Sequence, residues 1–385
     1  MKVLLISVAW PSAAAPSLGP WARDVAVALA RAGHTVDVLS PIPYVPPLVG
    51  RYQLYREIPA IYRDGPVTVI RPRVPTLKGR LARDLLYPLA VADWYTMLPF
   101  LRSHLDPASY AVIHSNAILP DGHWALLLSR QGGRPYVIQN HDIDASHSVP
   151  RSGPARRAAM SIIENSSAVI HVSRYVQRHL QGQARYRVPE TVIYNHLDAS
   201  VPVPRTLGFK YVATVGSLIA RKRQDVVIRA LQRVSDPEMH LIVIGRGPEE
   251  PRLQKLAKDL GLFGRIHFLG AIPREEALSW IAGAVAMALP SVEEPCGNVY
   301  VEAMQLGVPP IAVHGFGIAE ILEGTDAGFL IDPDDVDGLA TILRALETDE
   351  VRAKHSRATR ELGMSLTLER YGVRLAEVYK EAILR

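Results

Sequence analysis

Short runs of apolar residues, each followed by an amphipathic stretch, recur along the whole 385-residue chain. "KVLLIS" (2–7) shows no alternation of polar and apolar positions, so both of its faces need cover. "DVAVALARAGHTVDVLS" then places apolar residues at helical spacing from Asp24 to Ala32, stops at Gly33 and gives a second such run, Val36–Leu39. That is a βαβ unit. Strands apolar on both faces belong in a parallel sheet between two layers of helices. "VTVIR" (67–71), "AVIHS" (111–115), "PYVIQN" (135–140) and "AVIHVS" (168–173) extend the pattern. It starts afresh with "YVATVG" (211–216), "HLIVIG" (240–245), "RIHFLG" (265–270), "VAMALP" (285–290), "PPIAV" (309–313) and "GFLIDP" (328–333), with helices over 224–234 and 251–261. The sequence therefore predicts an α/β fold of two doubly wound domains, residues 1–200 and 201–367. The proline-bearing stretch 198–206 is the expected linker, and 368–385 is a closing helix expected to pack back on the first domain.

Composition narrows the class. With 48% hydrophobic and 21% charged residues, the chain can bury two real cores. The single cysteine, Cys296, excludes an internal disulfide and a cysteine-based metal cluster. "MKVLLISVAW" is too short an apolar run for a signal peptide and reads as a strand, and no 18-residue apolar run exists, so a cytoplasmic protein is expected. Residues 1–205 carry 22 Lys+Arg against 13 Asp+Glu, whereas residues 206–385 carry 21 against 25. The asymmetry reads either as two domains with different ligands or as drift in an Arg-, Ala- and Pro-rich composition.

In open parallel sheets, ligands sit beyond the carboxyl ends of the strands, so the loops there hold the candidate chemistry. "EEPCGNVYVEAM" (293–304) follows one such strand. Pro295 and Gly297 resist helix, which places a helix start near Asn298, Glu294 in the loop and Glu302 on the second turn. Gly297 permits close approach, and the amides of Asn298 and Val299 face outward from a helix N-terminus, as an anion requires. Carboxylates beside such a site suit hydroxyl groups, one on a sugar and one on a ribose; the plain alternative is a helix cap and an exposed glutamate. "SLIARKRQD" after strand 211–216 places Lys222 just before a helix, suited to a diphosphate or simply part of a solvated basic turn. Gly19, in the small-residue loop after the first strand, allows a ligand near the backbone. "IGRGPEE" (244–250) has Glu250 where a dinucleotide fingerprint needs glycine. His114, His123, His141 and His147 lack metal-ligand spacing.

These motifs, in this order, resemble the GT-B glycosyltransferases and more narrowly the retaining "group 1" family, glycosyltransferase family 4, with several blocks similar to its teichuronic-acid-type branch. "GPWARDVAVALARAGHTVDVL", "PDGHWALLL", "VIQNHDID", "VIYNHLD", "VGSLIARKRQDVVIRAL" and "EPCGNVYVEAMQLGVPPIAV" each resemble a family block, the last most specifically. The resemblance implies two Rossmann-like domains facing a cleft, acceptor on the first and nucleotide-sugar donor on the second. It implies that Lys222 holds the donor diphosphate, Glu294 the transferred sugar and Glu302 the ribose. Gly297, Asn298 and Val299 form the phosphate cradle, His141 stands near the donor sugar, and Gly19 belongs to the first loop. There are departures: Ser217 stands where the family has an arginine, so either Arg221 or Arg223 substitutes or diphosphate binding is weaker, and Arg223 stands where it has a glycine. The first loop reads Gly-Pro, and "HDID" replaces "HGSD".

The implied activity is transfer from a nucleotide-diphosphate sugar to a glycan or lipid-linked acceptor, without cofactor, metal or nucleic acid. Rivals are a non-catalytic sugar-nucleotide-binding protein, a sugar-nucleotide epimerase and, less compatible with the glycine pattern, a dehydrogenase. Arg71, Arg73, Arg80, Arg83, Trp94, Tyr95 and Phe100 suggest an amphipathic basic patch on an anionic membrane surface; the apolar stretch 83–105 reads alternatively as a core helix. Asp142 and Asp144, the Asp-x-Asp of this chain's "DIDASH", lie in the first half, away from the donor motifs. Transfer should accordingly survive EDTA. Complete loss restored by Mg²⁺ or Mn²⁺ in a labelled-donor assay contradicts that expectation.

Overall fold

The computed structural model describes the chain except residues 17, 46–52, 76–85, 142–148, 151, 199–201 and 235. The chain forms two compact units, Met1–Tyr194 with Leu368–Arg385, and Asn195–Thr367.

The first unit holds β1 (Lys2–Ile6), β2 (Thr35–Leu39), β3 (Ile42–Pro43), β4 (Ile61–Asp64), β5 (Val67–Ile70), β6 (Arg73–Val74), β7 (Val112–Ser115), β8 (Tyr136–Asn140), β9 (Ala168–His171) and β10 (Glu190–Val192). Eight of them make one sheet in the order β10-β9-β8-β7-β1-β2-β5-β4, while β3 and β6 pair separately. All pairings in the large sheet are parallel except β4–β5. The sequence reading missed β4, because its exposed and half-exposed residues show no apolar run; it is an edge strand turned back through Asp64-Gly65, with Gly65 at φ 57°. The chain leaves β1 toward β2 in one direction and continues from β7 to β10 in the other. Right-handed crossovers then put the helices on opposite faces. Helix Pro20–Arg31 and the closing helix Leu368–Leu384 share one core with Val3, Leu5, Val36 and Val38. Helices Leu86–His104, Asp121–Gly132, Gly153–Glu164 and Arg174–Gln183 cover the other face with Leu4, Ile6, Ile113 and Ile138. Residues 86–104 thus take the core-helix alternative: Ala90, Trp94, Met97 and Leu101 form its buried stripe.

The closing helix is fixed by more than apolar contact. The Cβ position of Gly372 lies 2.7 Å from the carbonyl carbon of Ala28, so the two helices meet backbone to backbone and only glycine fits. Two buried hydroxyls meet the sheet's polar residues: Tyr379 Oη bonds His114 Nδ1 at 2.5 Å, and Tyr371 Oη accepts from Gln139 Nε2.

The second unit holds β11 (Lys210–Val215), β12 (Met239–Ile244), β13 (Ile266–Gly270), β14 (Ala286–Ala288), β15 (Pro310–Val313) and β16 (Phe329–Ile331). They form a wholly parallel sheet in the order β13-β12-β11-β14-β15-β16. Successive strands run outward from β11 to β13 and then from β14 to β16 on its other side, so the order reverses between β11 and β14. Among the described residues, no helix is long and apolar enough to cross a membrane.

Burial, with the nearby His141 adding to it, pulls the pKa of His114 from 6.5 down to about 3. A folded pKa below the unfolded one means that the unfolded chain binds the extra proton first. This contribution to stability is complete above about pH 6.5 and is lost as pH falls from there toward about 3. Urea titrations at descending pH should show that acid limb, and His114→Asn should make it shallower.

Candidate functional site

Order reversal brings the two chemistry-bearing loops of the second unit together. β11 and β14 are hydrogen-bonded neighbours, with Val212 opposite Ala286, so the loops leaving their carboxyl ends start side by side. The amide of Val292 donates to Arg221 O at 2.9 Å and pins the two loops to each other. Lys222 closes a short 3-10 turn, Ala220–Lys222, just before helix Gln224–Gln232. Its Nζ donates to Glu294 Oε2. The same oxygen accepts from Ser291 Oγ at 2.8 Å and from Arg221 Nη1 at 3.4 Å. Glu294 is only 6% exposed. A buried carboxylate is tolerated there because one oxygen collects two cations and a hydroxyl.

Helix Asn298–Gln305 begins where the sequence places it. Gly297 has φ 75°, and a Cβ there would lie 2.6 Å from the Tyr300 ring, so a side chain is excluded on both grounds. Asn298 and Val299, the first two residues, have no intrahelical carbonyl to donate to. Their amides are the kind of donors an anion takes. Asn195 Nδ2 holds the Asn298 side chain at 2.6 Å. Glu302, one turn on, accepts from Arg274 Nε at 2.7 Å. Lys222 and Glu294 therefore touch, and the 297–299 turn and Glu302 continue from the same loop.

The two candidate substitutes for the family arginine separate clearly. Arg223 pairs with Asp225 at 3.4 Å and with Asp334, whereas Arg221 lies on Glu294. Arg223 occupies a left-handed backbone position, φ 50°, which explains a glycine preference there. The Gly-x-Gly of "IGRGPEE" has a packing function. The Cβ position of Gly245 falls on Gly216 O and that of Gly247 on Leu218 O, so both glycines let the β12 loop press against the loop that carries Lys222. Arg274 and Ser291 were missed in the sequence, since neither stands in a motif. Burial pushes the thiol of Cys296 up to about 12, away from the thiolate form that a nucleophile needs.

Gly19 and His141 belong to the first unit. Gly19 caps helix Pro20–Arg31 at φ 70°, and a Cβ there would lie 2.5 Å from the carbonyl carbon of Ala9, so the loop's own packing requires glycine. His141, half-buried, follows the carboxyl end of β8 directly, beside His114. Asp142, Asp144 and His147 lie outside the described residues.

The expected amphipathic basic patch is not formed as read. Arg71 is 2% exposed and donates to Trp10 O at 3.2 Å and Pro11 O at 3.1 Å. Arg73 donates to the carbonyls of Tyr55, Arg56 and Ile58. Trp94 is buried and Phe100 packs on the core, which leaves only Tyr95 exposed; Arg80 and Arg83 lie outside the described residues. Arginines next to a strand end found backbone carbonyls to satisfy, an outcome that composition does not register.

A family model described as "Glycosyl transferases group 1" matches residues 202–362, and one described as "Glycosyltransferase Family 4" matches residues 20–201. The chain is 29% identical to a GDP-mannose-dependent alpha-(1-6)-phosphatidylinositol monomannoside mannosyltransferase of Mycolicibacterium smegmatis, over 59% of this chain and 64% of that protein, just under two thirds of the relative's length. Sucrose-phosphate synthase from Thermosynechococcus elongatus superposes with TM-score 0.77 at 22% identity, covering 99% of this chain and 98% of that one. Anabaena HepE in complex with UDP-glucose superposes with TM-score 0.69 at 20% identity, covering 99% of each chain.

Removing one partner of a buried pair leaves the other charge stranded. Lys222→Met should cost about 3 kcal/mol of stability, at the low end for such a loss because Arg221 and Ser291 remain on Glu294. The double variant Lys222→Met/Glu294→Leu should recover part of it. Chemical denaturation of the two, without ligand, checks both statements.

Proposed function

The chain belongs to glycosyltransferase family 4, the group 1 glycosyltransferases, and from that premise we propose that it is a retaining, metal-independent transferase moving a sugar from a nucleotide-diphosphate donor to a glycan or lipid-linked acceptor. The carrying observation is the meeting of Lys222, Arg221, Glu294 and an open helix N-terminus where the strand order reverses. In this reading the bond from the sugar's anomeric carbon to the diphosphate breaks, and a bond to an acceptor hydroxyl forms on the same face. The hydroxyl proton passes to a departing phosphate oxygen, so no protein base is required. Charge grows on that oxygen as the bond breaks, and fixed cations and amides aimed at it lower the barrier without reorganising. Lys222 and the amides of Asn298 and Val299 supply this, with Arg221 in place of the family arginine. Glu294 accepts hydroxyls of the transferred sugar and Glu302 those of the ribose, while His141 and Gly19 are the candidates that the first unit carries. Lys222 and Glu294 hold each other; an arriving diphosphate takes the lysine and a sugar hydroxyl takes the glutamate. We place the protein at the inner face of the plasma membrane, in cell-surface polysaccharide or glycolipid synthesis. The mannosyltransferase relative, named for a phosphatidylinositol monomannoside, supports an acceptor carried on a lipid.

Thermal shift with UDP, GDP and ADP identifies the nucleotide, since a ligand at 100 times its Kd stabilises by about 2.7 kcal/mol. For the matching nucleotide, Glu302→Ala should weaken binding by about 1.5–3 kcal/mol through loss of a charged hydrogen bond, whereas Glu294→Ala should lower turnover more than affinity. Equal affinity of wild type and Glu302→Ala for the free nucleoside diphosphate removes the ribose assignment.

A further inference from the structure

Arg274 stands at a helix end that does not suit it. β13 ends at Gly270, and residues 271–273 lead into helix Arg274–Ala282, of which Arg274 is the first residue. The partial positive charge of a helix N-terminus disfavours a cation there. Glu275 and Glu276, next in the first turn, are the residues that such an end prefers, and Glu276 pairs with Arg205 at 3.6 Å. Arg274 makes neither of these local pairings. Its Nε reaches across to helix Asn298–Gln305 and donates to Glu302 Oε1 at 2.7 Å. The arginine side chain is 48% exposed, and an ion pair that open to water adds little to stability. Neither the helix nor the fold therefore accounts for an arginine at this position.

The contact divides the Glu302 carboxylate. Oε1 is taken by Arg274, and Oε2 has no donor among the described residues. An ionised carboxylate is an acceptor only, so the second oxygen suits hydroxyl groups. A glutamate on the second turn of a helix has three side-chain torsions to settle, and settling them when a ligand arrives costs affinity. Arg274 settles them beforehand. Both residues lie in the second unit, and Arg274 follows the carboxyl end of its strand as Lys222 and Glu294 follow theirs.

We propose that Arg274 is a positioning residue for nucleoside recognition: it holds Glu302 ready for the 2′,3′-diol of a ribonucleoside diphosphate and thereby strengthens the preference for ribose. The proposal rests on the ribose reading of Glu302 given above and deepens it. Arg274 acts through Glu302, so its effect should be confined to ligands that carry the diol.

Calorimetric titration of the full chain tests this, with UDP, GDP and ADP and with the 2′,3′-dideoxy counterpart of each. Wild type should bind its ribonucleotide more tightly than the dideoxy form by about tenfold or more, as expected for hydrogen bonds to a charged group. Arg274→Ala should bind the ribonucleotide about fivefold more weakly, because Glu302 must then be ordered on binding, and should bind the dideoxy form as wild type does. Arg274→Lys, which keeps a cation near Glu302, should restore most of the preference. Glu302→Ala should abolish it, and adding Arg274→Ala to that variant should weaken binding no further. The melting temperature of Arg274→Ala without ligand should match wild type. Absence of the preference in wild type, its survival in Glu302→Ala, or no binding of any of the six nucleotides removes the ribose reading and the proposal with it. A preference lost in Glu302→Ala but kept in full by Arg274→Ala overturns the proposal alone. So does tighter ribonucleotide binding by Arg274→Ala, which makes the pair a block on the site. A lowered melting temperature with the preference intact also overturns it, since Arg274 is then a brace between two helices.

Discussion

The second unit depends on one topological fact, the reversal of strand order between β11 and β14. Parallel strands that wind outward in opposite directions carry their following helices to opposite faces, so the loops at their carboxyl ends meet where the two directions part. Lys222 and Glu294 meet in that gap although 72 positions separate them. Every glycine that matters nearby serves the same meeting. Gly245 and Gly247 let the β12 loop close against the β11 loop, and Gly297 lets the β14 loop turn into its helix over the Tyr300 ring.

Electrostatics within the gap follow from burial. A buried carboxylate needs partners, and Glu294 has them: one of its oxygens gathers Lys222, Arg221 and Ser291. Glu302 is less enclosed and uses a single arginine, Arg274. The two glutamates of one sequence motif thus have different surroundings. That difference follows from position: Glu294 lies in the loop between two cations and a hydroxyl, Glu302 on the helix beside one arginine.

The first unit is organised from its far terminus. The closing helix lies against helix Pro20–Arg31 at backbone distance through Gly372, and its Tyr371 and Tyr379 satisfy polar residues of β7 and β8. His114 is enclosed as a result and resists protonation. Those strands also deliver the candidate His141, which comes one residue after β8 ends.

Much of the architecture was legible because buried parallel strands leave a strong local signature: four to six apolar residues in a row, then a helical period. The α/β class, most strands and the helix start at Asn298 follow from it. Edge strand β4 escaped, since a half-exposed strand carries no such run. The basic patch was misjudged, because a sequence shows that arginines are present but not whether carbonyls, as at Arg71 and Arg73, have already taken their donors. Motif spacing alone marked Lys222, Glu294, the 297–299 turn and Glu302 as candidates. It did not tell which arginine joins them, that Ser291 braces Glu294 or that Arg274 pairs with Glu302. Sequence alone determined what is local: strand, helix, cap and the residue types on each loop. Which loops meet, which charges find each other and which surface stays basic are settled by non-local contacts, and only the tertiary structure decided them.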